Sequence, residues 1–461
     1  MNPSTFPSTP SLQPGPRPEQ PVPGAVPGDP QPPAKGRFGR LPELAGRGFI
    51  PLGLFARLPL AMLTVGTLTL VTSVSGSYAV GGTAAGAVGI GSAIGAPVLG
   101  ALADRRGQRP VLLVAAALNA LAVIVLIAAA YAMTPAGAFP AALLTAAFAS
   151  GASCPQVGPL ARVRWMALTS QSAPAGRSAH RKTADKQDLD AALSYESTAD
   201  ELTFVLGPAL VGILASLLAP WLPLALAAAL TITLVPAFAV HRTYRAVPIH
   251  RSVPSGPAKA RQAGRKLRVQ EATAPGTPFA VALPVLAMVC MGTFFGSTQT
   301  ALSSFSAGFA TSEISGLLYA VMGVSSAVAA LSVAYWTQRL TLPVRWLLGA
   351  ALMAALAFLL FVPTSAAGMV LVLLVLGLPV GPVMVTVFAI GGLIAPGGRL
   401  GTVMTALASG IVAGTAIGSA VAGQLAQAHG YSAAFLVPVG AAVALVLLGG
   451  ASAFVLRRDR A

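Results

Sequence analysis

Charge is what this sequence has least of. Asp, Glu, Lys and Arg make up 9% of its 461 residues, whereas a soluble domain carries about 25%. That deficit excludes an ordinary water-soluble fold. Acidic residues are the scarcer sign, 13 against 29 basic ones, for a net charge of +16. The basic excess does not mark a nucleic-acid binder. The basic residues flank apolar runs instead of lining one face, and no zinc spacing, helix-turn-helix or RNA-binding signature occurs. Cysteine is nearly absent: Cys154 and Cys290, both inside apolar runs, exclude a disulfide framework and a metal site. No Gly-x-x-x-x-Gly-Lys-Ser/Thr loop is present, so the chain hydrolyses no ATP. No catalytic constellation is visible and no cofactor is expected, so the chain does not read as an enzyme.

The N-terminus lacks an apolar stretch of signal-peptide type. Residues 1–45 are polar, and twelve prolines in the first 33 residues prevent a helix from propagating. This segment reads as a disordered cytoplasmic tail, a spacer rather than a docking segment.

What the sequence does have is apolar length. Hydrophobic residues make up 55% of it, with mean hydropathy +0.76. A span needs roughly 20 apolar residues. Twelve such runs occur, at 52–74, 78–101, 110–131, 138–160, 196–218, 221–241, 279–302, 313–335, 345–363, 367–392, 402–425 and 432–456. The fifth carries Glu196, Asp200 and Glu201 in its first turn. With twelve spans, all 29 Lys and Arg fall on one side, which the positive-inside rule makes cytoplasmic, together with both termini. An all-α membrane protein is expected, with an N-terminal six-helix bundle at 46–241, a cytoplasmic central loop at 242–278, a C-terminal six-helix bundle at 279–457 and a short tail at 458–461. The halves echo one another: Pro155-Gln156-Val157-Gly158-Pro159 resembles Pro379-Val380-Gly381-Pro382, and Gly207 and Gly212 have the spacing of Gly418 and Gly423.

Between the second and third runs lies Gly100-Ala101-Leu102-Ala103-Asp104-Arg105-Arg106-Gly107-Gln108-Arg109-Pro110. This charged loop resembles the Gly-x-x-x-Asp-Arg-x-Gly-x-Arg signature of the major facilitator superfamily of secondary transporters. Gly100, Asp104, Arg105, Gly107 and Arg109 match, while Gln108 stands where the family usually has a basic residue. The resemblance implies two pseudo-repeated bundles, a substrate site between them near the membrane midplane, and an electrochemical gradient, most often protons, as the energy source. It also implies that Asp104 meets the start of the eleventh span, near Gly401-Thr402. A carboxylate is favoured at a helix N-terminus, so this contact would act as a latch that closes the cytoplasmic face.

Four further groups carry expectations. Gly410, Gly414 and Gly418 in the eleventh span, and Gly82, Gly86, Gly91 and Gly95 in the second, have small-residue spacing that permits close helix contact. By resemblance these two spans meet where the halves rock. Gly207-Pro208, followed by Gly212, resembles the Gly-Pro signature of exporters. Glu196 and Asp200 share a helix face and, with Glu201, lie at the same membrane surface as Arg162 and Arg164, which end the fourth span. They form a structural gate, or Asp200 or Glu201 carries protons. By resemblance, Arg57, Gln156, Phe294, Phe295, Gln299 and Tyr319 are cavity candidates. So little charge in the cavity favours a neutral, amphiphilic or weakly basic solute.

The function expected is alternating-access transport of small organic solutes across the plasma membrane, as proton-coupled efflux. Its partners are the solute, the lipid bilayer and protons. Uptake or facilitated diffusion of a neutral metabolite such as a sugar stands as the alternative, as does a transport-inactive scaffold or sensor.

Overall fold

The computed structural model describes residues 36–132, 140–171, 179–248, 278–306, 313–337 and 339–458. All statements about structure concern these residues. Most of the N-terminal tail (1–35), most of the central loop (249–277) and the last three residues lie outside them. Within the described part of the tail a short helix forms, α1 (Leu41–Ala45), with Pro42 in its first turn.

The chain is helical throughout. α2 (Phe49–Phe55) and α3 (Leu58–Ser75) make the first spanning element. α3 ends on Gly76 at φ 66°, in the left-handed region open to glycine. Ser77 accepts the Val80 N–H and starts α4 (Tyr78–Arg106). α5 (Gln108–Tyr131) follows after a single residue, Gly107, at φ 90°. The expected loop at 102–109 is therefore almost entirely helix. Asp104, Arg105 and Arg106 extend α4 by another turn, and a positive-φ glycine makes the hairpin.

The fourth span is broken into α6 (Ala141–Ala152) and α7 (Val157–Gln171). Pro155 supplies no N–H and forces Cys154 out of helical geometry. The Gln156 side chain donates to the Cys154 carbonyl at 3.0 Å and so satisfies part of the break. Here the sequence expectation is corrected twice. α7 continues past residue 160, so Arg162 and Arg164 lie inside a helix and not at its end. α8 (Ala179–Leu217) begins well before residue 196, so Glu196, Asp200 and Glu201 lie in its middle and not in a first turn. The expected loop at 161–195 is helical where it is described.

α9 (Leu222–Val240) is followed by a 3-10 turn at Arg242–Ala246. Then come α10 (Pro278–Ser306), α11 (Glu313–Ser332), α12 (Leu342–Ala357), α13 (Ala366–Ile394), α14 (Leu400–Ala434) and α15 (Leu436–Arg458). Eleven helices are long and apolar enough to cross a membrane, and the broken pair α6–α7 accompanies them. Large side chains such as Ile94, Leu118, Leu352 and Leu447 face outward, as a lipid solvent permits. Phe294, Trp346 and Phe388 fill the interior.

Glycine sets the closest helix contacts. A Cβ on Gly91 or Gly95 would overlap the Phe148 or Ala152 carbonyl of α6. One on Gly377 or Gly381 would overlap the Met322 or Ser326 carbonyl of α11. Gly410, Gly414 and Gly418 press on Val285, Val289 and Thr293 of α10. The second and eleventh spans do meet, as expected, at Gly100 against Gly401 and Thr405 and at Ser409 against Ala93, but not through these glycines. A Cβ on Gly82 or Gly86 would meet nothing within 4 Å. Spacing identifies a small-residue face, but not which helix fills it.

Gly414→Leu should therefore force α14 from α10, because its Cβ would overlap the Val289 carbonyl and stand 2.8 Å from the Thr293 nitrogen. A loss of about 1–3 kcal/mol or more is expected, read as a lower unfolding temperature in detergent. Gly440→Ala, where nothing lies within 4 Å, should leave that temperature unchanged.

Candidate functional site

Asp104 ends α4 against the N-terminus of α14. Its Oδ1 accepts the Gly401 N–H at 2.8 Å, and its Oδ2 accepts the Thr402 N–H and the Thr402 hydroxyl, both at 2.7 Å. These are first-turn donors with no partner inside their own helix, at the positive end of the helix dipole. Gly100 makes the approach geometrically feasible: any Cβ there would overlap the Thr405 hydroxyl and stand 2.7 Å from the Gly401 carbonyl. Two turns further along, the Ser409 hydroxyl donates to the Ala93 carbonyl at 2.9 Å. α4 and α14 thus form one continuous seam. Of the other motif residues, Arg105 is exposed. Arg109 lies over the Tyr244 ring, 5.8 Å from its centroid. Hydrogen bonds from Arg245 and Arg109 hold the Tyr244 phenol below its ordinary range.

A chain of buried charges runs beside this seam. Arg57, the residue before α3, donates through Nε to the Gly53 carbonyl at 2.9 Å. Its Nη2 pairs with Glu196 Oε2 at 2.6 Å and its Nη1 with Asp200 Oδ1 at 2.8 Å. Arg162 takes the other Asp200 oxygen at 2.7 Å. The second Glu196 oxygen accepts the Trp165 indole N–H at 2.8 Å. Two guanidinium groups and two carboxylates therefore balance. This is how charge persists deep in a low-dielectric interior: removing one partner of such a pair costs about 3–5 kcal/mol. The 196/200 spacing does put both carboxylates on one face of α8. The same face carries Gly207, whose missing Cβ would stand 2.6 Å from Ala61 of α3. Pro208 follows inside α8. Gly212 is exposed with nothing within 4 Å.

Glu201 lies one residue on, about 100° around the helix, and faces α11. It is 6% exposed and accepts the Ser326 hydroxyl at 2.8 Å. Among the described residues it pairs with no cation. Alongside it, the Thr198 hydroxyl donates to the Ala327 carbonyl at 3.0 Å.

Arg164, expected in the gate beside Arg162, points away from this chain of charges. It donates to Gln108 Oε1 at 2.8 Å, to the Phe238 carbonyl at 2.7 Å and to the Thr243 hydroxyl at 3.0 Å, and stacks on the Phe238 ring. This explains the departure at position 108. A basic residue there would face Arg164, whereas glutamine accepts from it.

Between these elements lies a narrow cavity of about 50 Å³, far smaller than the roughly 300–1,000 Å³ of a site enclosing a drug-sized ligand. Arg57, Gln156, Arg162 and Asp200 line it, with Ser92, Phe388 and Ser409. Phe294, Phe295, Gln299 and Tyr319 do not. Phe294 and Phe295 are core residues, Tyr319 packs against that core, and Gln299 is exposed. The expectation of a charge-poor cavity is corrected by the same geometry, since Arg162, read as ending a span, turns inward from within α7 to join Arg57 and Asp200.

A family model described as Major Facilitator Superfamily matches residues 47–408. Among solved structures, the chain resembles the human organic anion transporter MFSD10 (TETRAN), with a TM-score of 0.63 at 18% identity, covering 87% of this chain and 98% of that one. At that identity the likeness concerns the fold. No curated protein matches the chain by sequence.

The Gln108–Arg164 contact yields a paired expectation. Gln108→Lys removes an acceptor and adds a like charge, and should lower stability by about 1–3 kcal/mol. Gln108→Glu supplies a counter-charge and should match or exceed the wild type in the same thermal unfolding assay.

Proposed function

The chain belongs to the Major Facilitator Superfamily, and from that premise we propose that it exports small organic solutes by proton antiport through alternating access. It is a multi-pass membrane transporter and not an enzyme. The observation that carries the mechanistic reading is the Asp104 contact with α14. It joins a helix before the central segment to one after it, through hydrogen bonds that must break if that face opens. On this reading the two bundles at 46–241 and 279–457 rock about the cavity, both termini are cytoplasmic, and the membrane is the plasma membrane. Asp104, Gly100 and Gly107 serve as a latch that holds the cytoplasmic face closed.

The two carboxylates in the middle of α8 then take different roles. Asp200 is fixed between two arginines and serves as a gate post with Glu196, Arg57 and Arg162. Glu201 has a single hydroxyl donor and no cation among the described residues. Ionised, it would leave an uncompensated charge at the α8–α11 seam, so it is the proposed proton carrier. Protonation lets the seam close, and release loosens it. The export direction is supported by the Gly207-Pro208 resemblance to exporters.

The test is proton flux in everted vesicles, followed with a pH-sensitive dye while pools of diverse compounds are added. Solute-dependent proton release is expected from vesicles that contain the protein and not from empty ones. Glu201→Gln should abolish that release while leaving solute counterflow intact. Proton release that persists in Glu201→Gln removes Glu201 from the coupling role. Solute accumulation driven in the opposite direction replaces export with uptake.

A further inference from the structure

We propose that Arg162 binds the anionic head of the transported solute, which makes the substrate class an amphiphilic organic monocarboxylate. This rests on the transporter reading above and narrows it.

The argument begins with an unused hydrogen-bonding capacity. Arg162 is 0% exposed. Its Nη2 serves Asp200, but its Nε and Nη1 have no hydrogen-bond partner among the described residues. By contrast, all three nitrogens of Arg57 are engaged. A buried guanidinium with free donors carries a desolvation cost that an acceptor would relieve. Nε and Nη1 lie on different edges of the guanidinium fork, so a carboxylate takes two parallel N–H bonds only by also drawing on Nη2, which it shares with or takes from Asp200.

Position decides what the acceptor is. Arg162 lines the cavity between α7, α8, α13 and α14, and its guanidinium lies over the Phe388 ring at 3.9 Å from the centroid. The ring fixes the plane of the fork. The cavity has room for a carboxylate head but not for a whole solute. Phe388, Ile411 and Val412 form the apolar part of its lining, so the cavity must widen as the helices part to take the hydrocarbon part of the solute. A cation is poorly served there, because both Asp200 oxygens already accept from arginines.

When a solute carboxylate takes Arg162, Asp200 retains Arg57, and Arg57 retains Glu196, so every carboxylate keeps a guanidinium partner. The solute adds a third negative charge to two guanidinium groups, a cost that its bonds to Arg162 must outweigh. Arg164 cannot substitute, because it is turned toward Gln108 and Phe238.

The test is binding to the purified full-length protein in detergent, by isothermal titration with benzoate and its neutral isostere benzamide. Benzoate should bind, with benzamide about tenfold weaker or worse, the cost of losing charge-assisted bonds. Arg162→Gln should erase the preference. Arg162→Lys, which keeps the charge but loses the fork, should retain part of it. Asp200→Asn frees Arg162 and should tighten benzoate binding, a change that misfolding would not produce. Equal binding of the two compounds, no binding of either, or a benzoate preference that survives Arg162→Gln overturns the proposal. Counterflow of the same pair in proteoliposomes separates the two readings. Benzoate bound but never moved leaves the anion site standing and removes transport, whereas both compounds moved equally leaves transport standing and removes the site.

Discussion

The rest of the structure depends on one carboxylate placed at the end of one helix and the start of another. Asp104 closes the first turn of α14 with three hydrogen bonds of 2.7–2.8 Å. Hydrogen bonds to a charged group contribute about 1.5–3 kcal/mol each, so three give about 4.5–9 kcal/mol at most. Moving a two-state equilibrium from one extreme to the other takes about 5.5 kcal/mol, so on the proposed reading this contact alone is large enough to hold its face closed, and opening needs new contacts that offset it. Gly100 allows the helices to come that close, and Gly107 allows the chain to turn back at once behind them. A longer loop would hold Asp104 less firmly.

The same economy governs charge in the interior. α8 presents two differently loaded faces. On one, Glu196 and Asp200 are saturated by Arg57, Arg162 and Trp165. On the other, Glu201 accepts the Ser326 hydroxyl and has no cation beside it among the described residues. Saturated groups hold position. Under-partnered ones, Glu201 as an acid and Arg162 as a donor, are where a proton or a solute can change the balance. Both border contacts between helices that precede the central segment and helices that follow it, so a local change there has leverage on the whole assembly.

The meeting of Asp104 with Gly401-Thr402 was implied only by the family resemblance, whereas the apolar runs and the Asp104 motif itself could be read from the sequence, because hydropathy and a short charged hairpin are local signals. The 196/200 pairing was legible for the same reason. What failed was the depth of the charges. Arg162, Glu196 and Asp200 looked like a span boundary because each is costly in a membrane when taken alone. Their partners are far away in sequence: Arg57 and Asp200 are 143 residues apart. Once paired, the charges let α7 and α8 continue through them. The glycine faces were visible but their partners were not, since Gly410, Gly414 and Gly418 say only that something close is present, and it is α10. Gln108 looked like a lapse in the motif until Arg164 supplied its reason.

The central claim is that the Asp104–α14 contact keeps its face of the transporter shut. It is tested most directly by cysteine accessibility at the cavity. Ala408, partly buried and lining that cavity, is changed to cysteine in a background without Cys154 and Cys290, and labelled from the cytoplasmic side with a membrane-impermeant maleimide. Labelling should be slow with Asp104 present and markedly faster in Asp104→Asn, with the protein still folded. Equal labelling rates in the two backgrounds would contradict the account.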